Sequence, residues 1–411
     1  MISRRYITIC REGWYFIFVL SFILGGAVLR QVNLMMVLGG LMIGLMLLNW
    51  RFVAATLRNL QVRRMLPNRV CAGEIFTVDV VADNNRRWLD GWAITAEDSI
   101  CKTNGSERRA ASKVRALVAH ARAGQSGRSS YRCCLNQRGV YRFGPLRYST
   151  RFPLGLVEGT RVVNENETLL VCPRLGRLTA HWEMLVEAAT AGDQRSQKRR
   201  GIIEGDYYGM RDWRTGDNRR WIHWRASAKL GDLKVREFEQ NRNRNVALVL
   251  DLWQPQFPSY QDLEKVETAI SFAATAISDC CQRGSNSITL ATSGQTEHCQ
   301  TALTSTMFLY ESLERLALIE GGMSLQLADV LAQVSRKVAK GTPIVLISTR
   351  PNEDIGTLRT TTGEDEINLQ NAVDRLVWID VGGNRLAQFF ELDLPSYENR
   401  EDDALLAEAM R

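Results

Sequence analysis

The sequence predicts a chain of three parts: a two-helix membrane hairpin, a small antiparallel β-sandwich, and a C-terminal α/β domain built on an open parallel sheet. Three observations carry this reading. The first 50 residues hold two long uncharged apolar runs, the stretch from about 60 to 175 reads as short alternating runs separated by turn residues, and beyond residue 245 apolar strand-length runs alternate with helical periodicity. A length of 411 residues suits two or three domains. With 45% hydrophobic and 24% charged residues, the composition excludes a disordered, collagen-like or disulfide-scaffold chain. Nine cysteines, an odd number with the adjacent pairs Cys133-Cys134 and Cys280-Cys281, suit a reducing compartment.

The whole-chain mean hydropathy of −0.18 conceals the apolar N-terminus. Gly13 to Leu29 is a run of 17 residues without a charge and Gln31 to Trp50 a run of 20, interrupted only by Arg30. A bilayer core of about 30 Å needs about 20 helical residues, with about 17 still sufficient. A signal peptide would carry a shorter apolar region and a small-residue cleavage site, and no Ala-x-Ala-like site follows the first run before the second begins. The expectation is a hairpin over 1–59 with helices at about 13–29 and 32–51. Arg4, Arg5 and Arg11 precede it, Arg51, Arg58, Arg63 and Arg64 follow it, and the connection holds only Arg30, so the positive-inside tendency predicts both ends and everything beyond them to be cytoplasmic.

In the β-rich part, expected over 60–175, Phe76, Val78 and Val80 alternate with Thr77 and Asp79, the period of two of a half-buried strand. Turn residues Asp83-Asn84-Asn85 follow, and further strands are expected at Trp92–Ala96, Ala116–Ala119, Tyr131–Leu135 and Val140–Tyr148, with a polar loop at Asn104–Ser112. In the α/β part, expected over 246–395, Val246–Leu252 reads as a buried strand and Asp262–Arg283 as a helix with Leu263, Val266, Ala269, Ile270, Ala273, Ala274 and Ile277 on one face. Strands are expected at Ser287–Thr292, Pro343–Ser348 and Val373–Val381, helices at Thr306–Leu318 and Leu325–Ala339, a loop at Asn352–Glu366, and an acidic tail over 396–411.

Between these bodies, 195–245 holds 14 Lys/Arg and 7 Asp/Glu, a net charge equal to the whole chain's +7, so the basic character is local. Its aromatics would pack while Arg and Asp pair across turns. The string Gly-Asp-Tyr-Tyr-Gly-Met-Arg-Asp-Trp followed by Gly-Asp-Asn-Arg-Arg-Trp-Ile-His-Trp-Arg-Ala-Ser-Ala-Lys, within 205–229, resembles the signature of the DUF58 family of bacterial membrane proteins. A second string is also family-like: Arg138-Gly-Val-Tyr-Arg-Phe-Gly-Pro-Leu146 followed by Arg151-Phe-Pro-Leu-Gly-Leu156. The resemblance implies that the C-terminal part is a von Willebrand factor A-like domain, that the membrane is a bacterial inner membrane, and that the partner is a MoxR-type AAA+ ATPase. Other von Willebrand A-like or transglutaminase-like membrane proteins are implied as possible associates. The implied role is a non-enzymatic scaffold or adaptor, with Glu204, Asp206, Arg211, Gly216, Asp217, Arg219, Trp224 and Ser227 as the signature residues for partner contact or for holding the segment together.

A metal-binding von Willebrand A-like domain ends its first strand with Asp-x-Ser-x-Ser, whose oxygens suit Mg²⁺. Here Asp251 is followed by Trp253 and Pro255 at the serine positions, so the site is degenerate and no metal is expected. Asp251 is expected to hydrogen-bond its own following loop, and Thr292 or Ser293 are the other oxygen sources considered. The four histidines are scattered and no Cys-x-x-Cys, phosphate loop, Gly-x-Gly-x-x-Gly or Gly-x-Ser-x-Gly occurs, so neither a cofactor nor an enzymatic activity is expected. His223 reads as a packed, hydrogen-bonded residue rather than a base. Beside the scaffold stand a metal-dependent receptor, an uncharacterised membrane enzyme, and binding of anionic lipid or nucleic acid by the basic segment, Lys198-Arg199-Arg200 fitting lipid best. The interspersed acidic residues weigh against nucleic acid.

Overall fold

The computed structural model describes residues 4–104, 107–108, 112–186, 207–215, 217, 219–238, 245–284, 287–294, 298–323, 327–339, 342–350, 373, 376–383 and 386–392. The chain divides into two units, Met1–Arg174 with Leu394–Arg411, and Leu175–Asp393. The expected loop at Asn352–Glu366 and the tail over 396–411 lie outside the described residues.

In the first unit the apolar runs fold as α1 (Arg11–Arg30) and α2 (Asn33–Thr56), with Gln31 in the left-handed region (φ 48°) at the turn between them. At about 1.5 Å per residue they extend about 30 and 36 Å, long and apolar enough to cross a membrane. Phe18, Phe22, Leu29, Leu34 and Val37 point outward, which suits a hydrocarbon surround.

Twelve strands are described in this unit: β1 (Arg4–Ile9), β2 (Leu60–Met65), β3 (Val70–Cys71), β4 (Ile75–Asn84), β5 (Gly91–Asn104), β6 (Glu107–Arg108), β7 (Ser112–Ala121), β8 (Ser126–Cys134), β9 (Gly139–Phe143), β10 (Leu146–Thr150), β11 (Val157–Val163) and β12 (Glu167–Cys172). β2, β4 and β8 form one antiparallel sheet; the larger sheet runs β1-β11-β10-β5-β9-β12-β3, with β6 and β7 paired to β5. Leu60, Val78 and Val80 of the first sheet share a core with Ile94, Val118, Phe143 and Tyr148 of the second, so the inward faces created by alternation close on each other.

Arg64 of β2 crosses this core. Its Nη1 donates to Asp98 Oδ1 on β5 and its Nη2 to the Glu165 carbonyl, both at 2.6 Å, while the Tyr131 hydroxyl of β8 donates to Asp98 Oδ2 at 3.0 Å. Both side chains of the Arg64–Asp98 pair are 1% exposed. Burial, with the adjacent Asp98 carboxylate, pushes the Tyr131 phenol up.

Three sequence expectations for this unit need correction. β1, which precedes the hairpin, was not expected as a strand; it pairs antiparallel with β11, Ile7 opposite Gly159. The expected loop at Asn104–Ser112 is entered by β5, which continues to Asn104, and Glu107–Arg108 folds back onto Thr103–Asn104. The β body is also not wholly antiparallel, because β3 pairs parallel with β12 over two residues.

Both ends of the hairpin are fixed to this one β body. On α2 the buried residues Asn49, Val53 and Thr56 recur at helical spacing and form its inward stripe. Gly159 of β11 faces that stripe, and a methyl there would come within 2.6 Å of the Val53 and Leu57 side chains, so this approach requires glycine. Arg86 Nη1 donates to the Ala55 carbonyl at 3.1 Å, a second bond on a carbonyl that also accepts from the Arg58 N–H at the end of α2.

In the second unit, β13 (Arg177–Leu178) leads into helical residues 180–186, where buried Trp182 packs edge-on against Phe272 at 5.5 Å. The signature segment contributes β14 (Tyr207–Asp212), α3 (Trp224–Leu230) and β15 (Lys234–Phe238). Then follow β16 (Val246–Asp251), α4 (Tyr260–Gln282), β17 (Ser287–Ser293), β18 (His298–Leu303), α5 (Thr306–Leu318), α6 (Leu327–Lys337), β19 (Ile344–Ser348) and β20 (Leu376–Asp380). A Ser259 capping box with Asp262 starts α4. The sheet runs β18-β17-β16-β19-β20. β16, β17, β19 and β20 are parallel. The expected all-parallel sheet is corrected at β18, which lies antiparallel on β17 with Thr289 and Thr301 hydroxyls 2.9 Å apart. Counting along the chain, the order is third, second, first, fourth, fifth, and it reverses at β16.

Candidate functional site

Two places in the second unit hold the residues singled out by sequence: the hairpin of the signature segment and the carboxyl end of β16.

β14 and β15 pair antiparallel from Asp212 opposite Lys234 to Tyr207 opposite Phe238, with a register shift between Tyr207 and Gly209. The connection is held from inside. Arg211 grips Asp217 with two bonds, Nη1 to Oδ2 at 2.7 Å and Nη2 to Oδ1 at 2.8 Å, and the Arg214 N–H donates to the same Oδ2 at 2.9 Å. The Arg211 guanidinium, joined by that N–H, holds the Asp217 carboxyl down at about 2. Lys234 pairs with Asp212 across the hairpin.

After the 3-10 turn Arg219–Trp221, Ile222 bridges to Val235, and His223 caps α3. The His223 Nδ1 accepts from the Ala226 N–H at 3.1 Å, which requires the ring proton to be on Nε2 when neutral. Ser227, 8% exposed, donates from Oγ to the His223 carbonyl at 3.1 Å and accepts from the Lys234 N–H at 2.9 Å. Gly231 ends α3 in the left-handed region (φ 82°), returning its N–H to the Ser227 carbonyl.

The structure thus divides the signature residues. Arg211 and Asp217 meet directly, and Ser227 welds the start of α3 to β15. Arg219 and Trp224 point outward, Trp224 being 65% exposed, beside exposed Arg220, Arg225 and Lys229. Glu204, Asp206 and Gly216 lie outside the described residues, as does Lys198-Arg199-Arg200. His223, expected only as a packed, hydrogen-bonded residue, is the cap of α3; the welding roles of Lys234 and Asp212 had no sequence signal, because their partners are 7 and 22 residues away.

At the carboxyl end of β16 the sheet order reverses, the position where open α/β sheets form their crevice. Asp251 is 1% exposed there. The expectation that it bonds its own loop is corrected: its Oδ2 accepts from Ser348 Oγ at 2.9 Å and from Arg350 Nε at 2.8 Å, both at the end of β19. The Thr349 hydroxyl instead fastens the following loop, donating to the Trp253 carbonyl at 2.6 Å. Burial pushes the Asp251 carboxyl up, against the pull of Arg350 and Ser348. A guanidinium therefore stands where a divalent cation would have to sit, and Trp253 and Pro255 offer no side-chain oxygen. These residues do not fit a Mg²⁺ site.

Residues 209–317 match the family described as "Protein of unknown function DUF58". The uncharacterised protein YeaD of Bacillus subtilis (strain 168) is 28% identical over 123 residues, 30% of each chain; the match spans under a third of that relative's length. Among solved structures, the sporulation control protein Spo0M from Bacillus subtilis is similar at 12% identity, over 38% of this chain and 58% of that one, with a TM-score of 0.19. The CARDB domain of a Pyrococcus furiosus protein is similar at 13% identity, over 28% and 94%, with a TM-score of 0.18. Likenesses this weak carry no argument about function.

Proposed function

The 209–317 stretch is a DUF58 segment, and we propose that this chain is a membrane-anchored, non-enzymatic scaffold that presents its signature segment and a von Willebrand A-like domain to a MoxR-type AAA+ ATPase. The observation that carries this reading is the division of the signature segment into a tied interior and an outward Trp224 and Arg219. Trp and Arg are the residue types that dominate protein contact surfaces, and the hairpin beneath them is held by Arg211–Asp217 and Ser227. The von Willebrand A-like reading is supported by the strand order with its antiparallel third strand and by an aspartate ending the first strand. A metal-dependent variant of that reading is disfavoured by Arg350 on Asp251.

The membrane part rests on α1 and α2. That both hairpin ends join one β body supports the topology in which both lie on one side, and the flanking arginines favour the cytoplasmic side of a bacterial inner membrane for them.

Affinity capture of the tagged full chain from native membranes in mild detergent, with a non-hydrolysable ATP analogue and split into nuclease-treated and salt-washed halves, tests the reading by mass spectrometry. Enrichment of an AAA+ ATPase that is lost in Trp224→Ala and Arg219→Ala, with unchanged protein yield and thermal unfolding, is the expected result. Capture unaffected by both substitutions, or lipid or RNA retained in place of the ATPase and released by salt, contradicts it.

A further inference from the structure

We propose that the β body of the first unit rests on the lipid headgroup layer through a built facet beside the hairpin, formed by Trp88, Leu89, Trp92, Phe152 and Leu154. The inference rests on the membrane-anchor reading of α1 and α2 and adds a second, peripheral contact to it.

All five side chains are exposed, Trp88 at 88% and Leu154 at 45%. They come from two segments far apart in sequence that converge at the foot of the hairpin. The segment 151–156 is tied to both helices: Cys10, just before α1, donates its N–H to the Leu156 carbonyl at 3.0 Å. Asn49 of α2 is fully buried against the same segment, and its Oδ1 accepts from the Leu154 N–H at 3.5 Å. The segment 85–92 is tied to the end of α2 by Arg86 on the Ala55 carbonyl. The facet therefore lies where the apolar helices leave the protein.

Its aromatics are also held in place. Trp92 stacks on His120 with centroids 3.9 Å apart and lies against Phe152 at 5.9 Å. His120 Nε2 is 2.9 Å from Asp90 Oδ2, and Asp90 Oδ1 accepts from the Ala123 N–H at 2.8 Å. A platform ordered in advance loses little side-chain entropy on contact. Arg87, next to Trp88 in the chain, and Arg51 and Arg58, in the last turns of α2 and just after it, are exposed. Tryptophan and apolar side chains with exposed arginines in the adjoining segments match the chemistry of the bilayer interface, where the amphipathic indole and anionic headgroups meet. A bilayer is the favoured occupant because the facet continues the outward apolar surface of the hairpin.

The test uses the full chain in vesicles of phosphatidylcholine with 30% phosphatidylglycerol, with a fluorescent amino acid replacing Trp88, Leu154, Ile75 or Leu45 in separate preparations. Lipids brominated near the headgroup, or deep in the acyl chain, serve as quenchers. Ile75 is the control: it is exposed and apolar, at the start of β4, about 30 Å along that strand from the Asn84 end beside the facet. Quenching by the shallow bromines at positions 88 and 154 is expected to exceed that at 75 at least threefold. Equal quenching at 88, 154 and 75 overturns the proposal. Deep quenching at Leu45, in the middle of α2, reports on the anchor alone: if it occurs while 88 and 154 match 75, only the facet fails, and if it is absent the anchor and the facet fail together.

Discussion

Arg350 reaches back 99 residues to Asp251 and sets its Nε 2.8 Å from the carboxylate, with both side chains buried at the point where the sheet order reverses. The pair fills the crevice end of the sheet with a fixed cation. Removing one partner leaves the other charge buried without compensation. Arg350→Met is expected to destabilise the protein by about 3–5 kcal/mol, and Asp251→Leu in the same chain to recover a large part of that loss. Denaturant unfolding of single and double variants measures it; equal, additive losses would show the two residues acting independently. Calorimetric titration of the unaltered protein with Mg²⁺ or Mn²⁺ is expected to give no binding heat.

The Arg211–Asp217 clamp predicts a pH dependence with a definite sign. Because the folded carboxyl titrates at about 2, below its ordinary value near 3.9, the clamp's contribution is complete above about pH 4 and is lost as the pH falls through about 2. Carboxyl-carbon NMR should place the Asp217 midpoint near 2 in the native protein and return it to the ordinary range in Arg211→Ala. An unmoved midpoint in that variant would remove Arg211 as the cause.

Gly159 lets α2 lie directly on β11. Gly159→Val drives a side chain into Val53 and Leu57, with an expected loss of about 1–3 kcal/mol. The hairpin loosens first, so limited proteolysis should cleave faster at Leu57–Asn59, while a matched Val substitution at exposed Gly44 of α2, where an added side chain meets nothing within 4 Å, leaves the cleavage rate there unchanged.

Arg64 and Asp98 join the two sheets of the β body. Asp98→Ala leaves a buried guanidinium and frees the Tyr131 hydroxyl; the expected cost is about 3–5 kcal/mol, read as loss of soluble folded protein or a matching fall in the denaturation midpoint. A change below about 1 kcal/mol would show that water or another acceptor replaces the carboxylate.

Local signals in the sequence were legible and distant ones were not. The uncharged runs marked both apolar helices, though α2 extends six residues beyond the run's end, to Thr56, because its last turns exchange lipid-like surroundings for the β body. Thr306–Leu318 coincides with the helical period that predicts it. β1 and β18 were invisible: each is an edge strand with a largely exposed face, and the partner of β1 lies some 150 residues on, so no periodicity marks either. The same distinction holds at the sites. Arg211 and Asp217 are six residues apart, and their pairing across a turn follows from the sequence, whereas nothing near Asp251 announces Arg350.

The central claim is that Trp224 and Arg219 form a protein contact surface. The most direct measurement replaces Trp224 with a photo-crosslinking amino acid in cells, with Ile75 similarly replaced as a control. The account predicts a nucleotide-dependent crosslink from position 224, and none from 75, to an AAA+ ATPase identified by mass spectrometry. Crosslinks from 224 only to lipid, to nucleic acid or to this chain itself would contradict it.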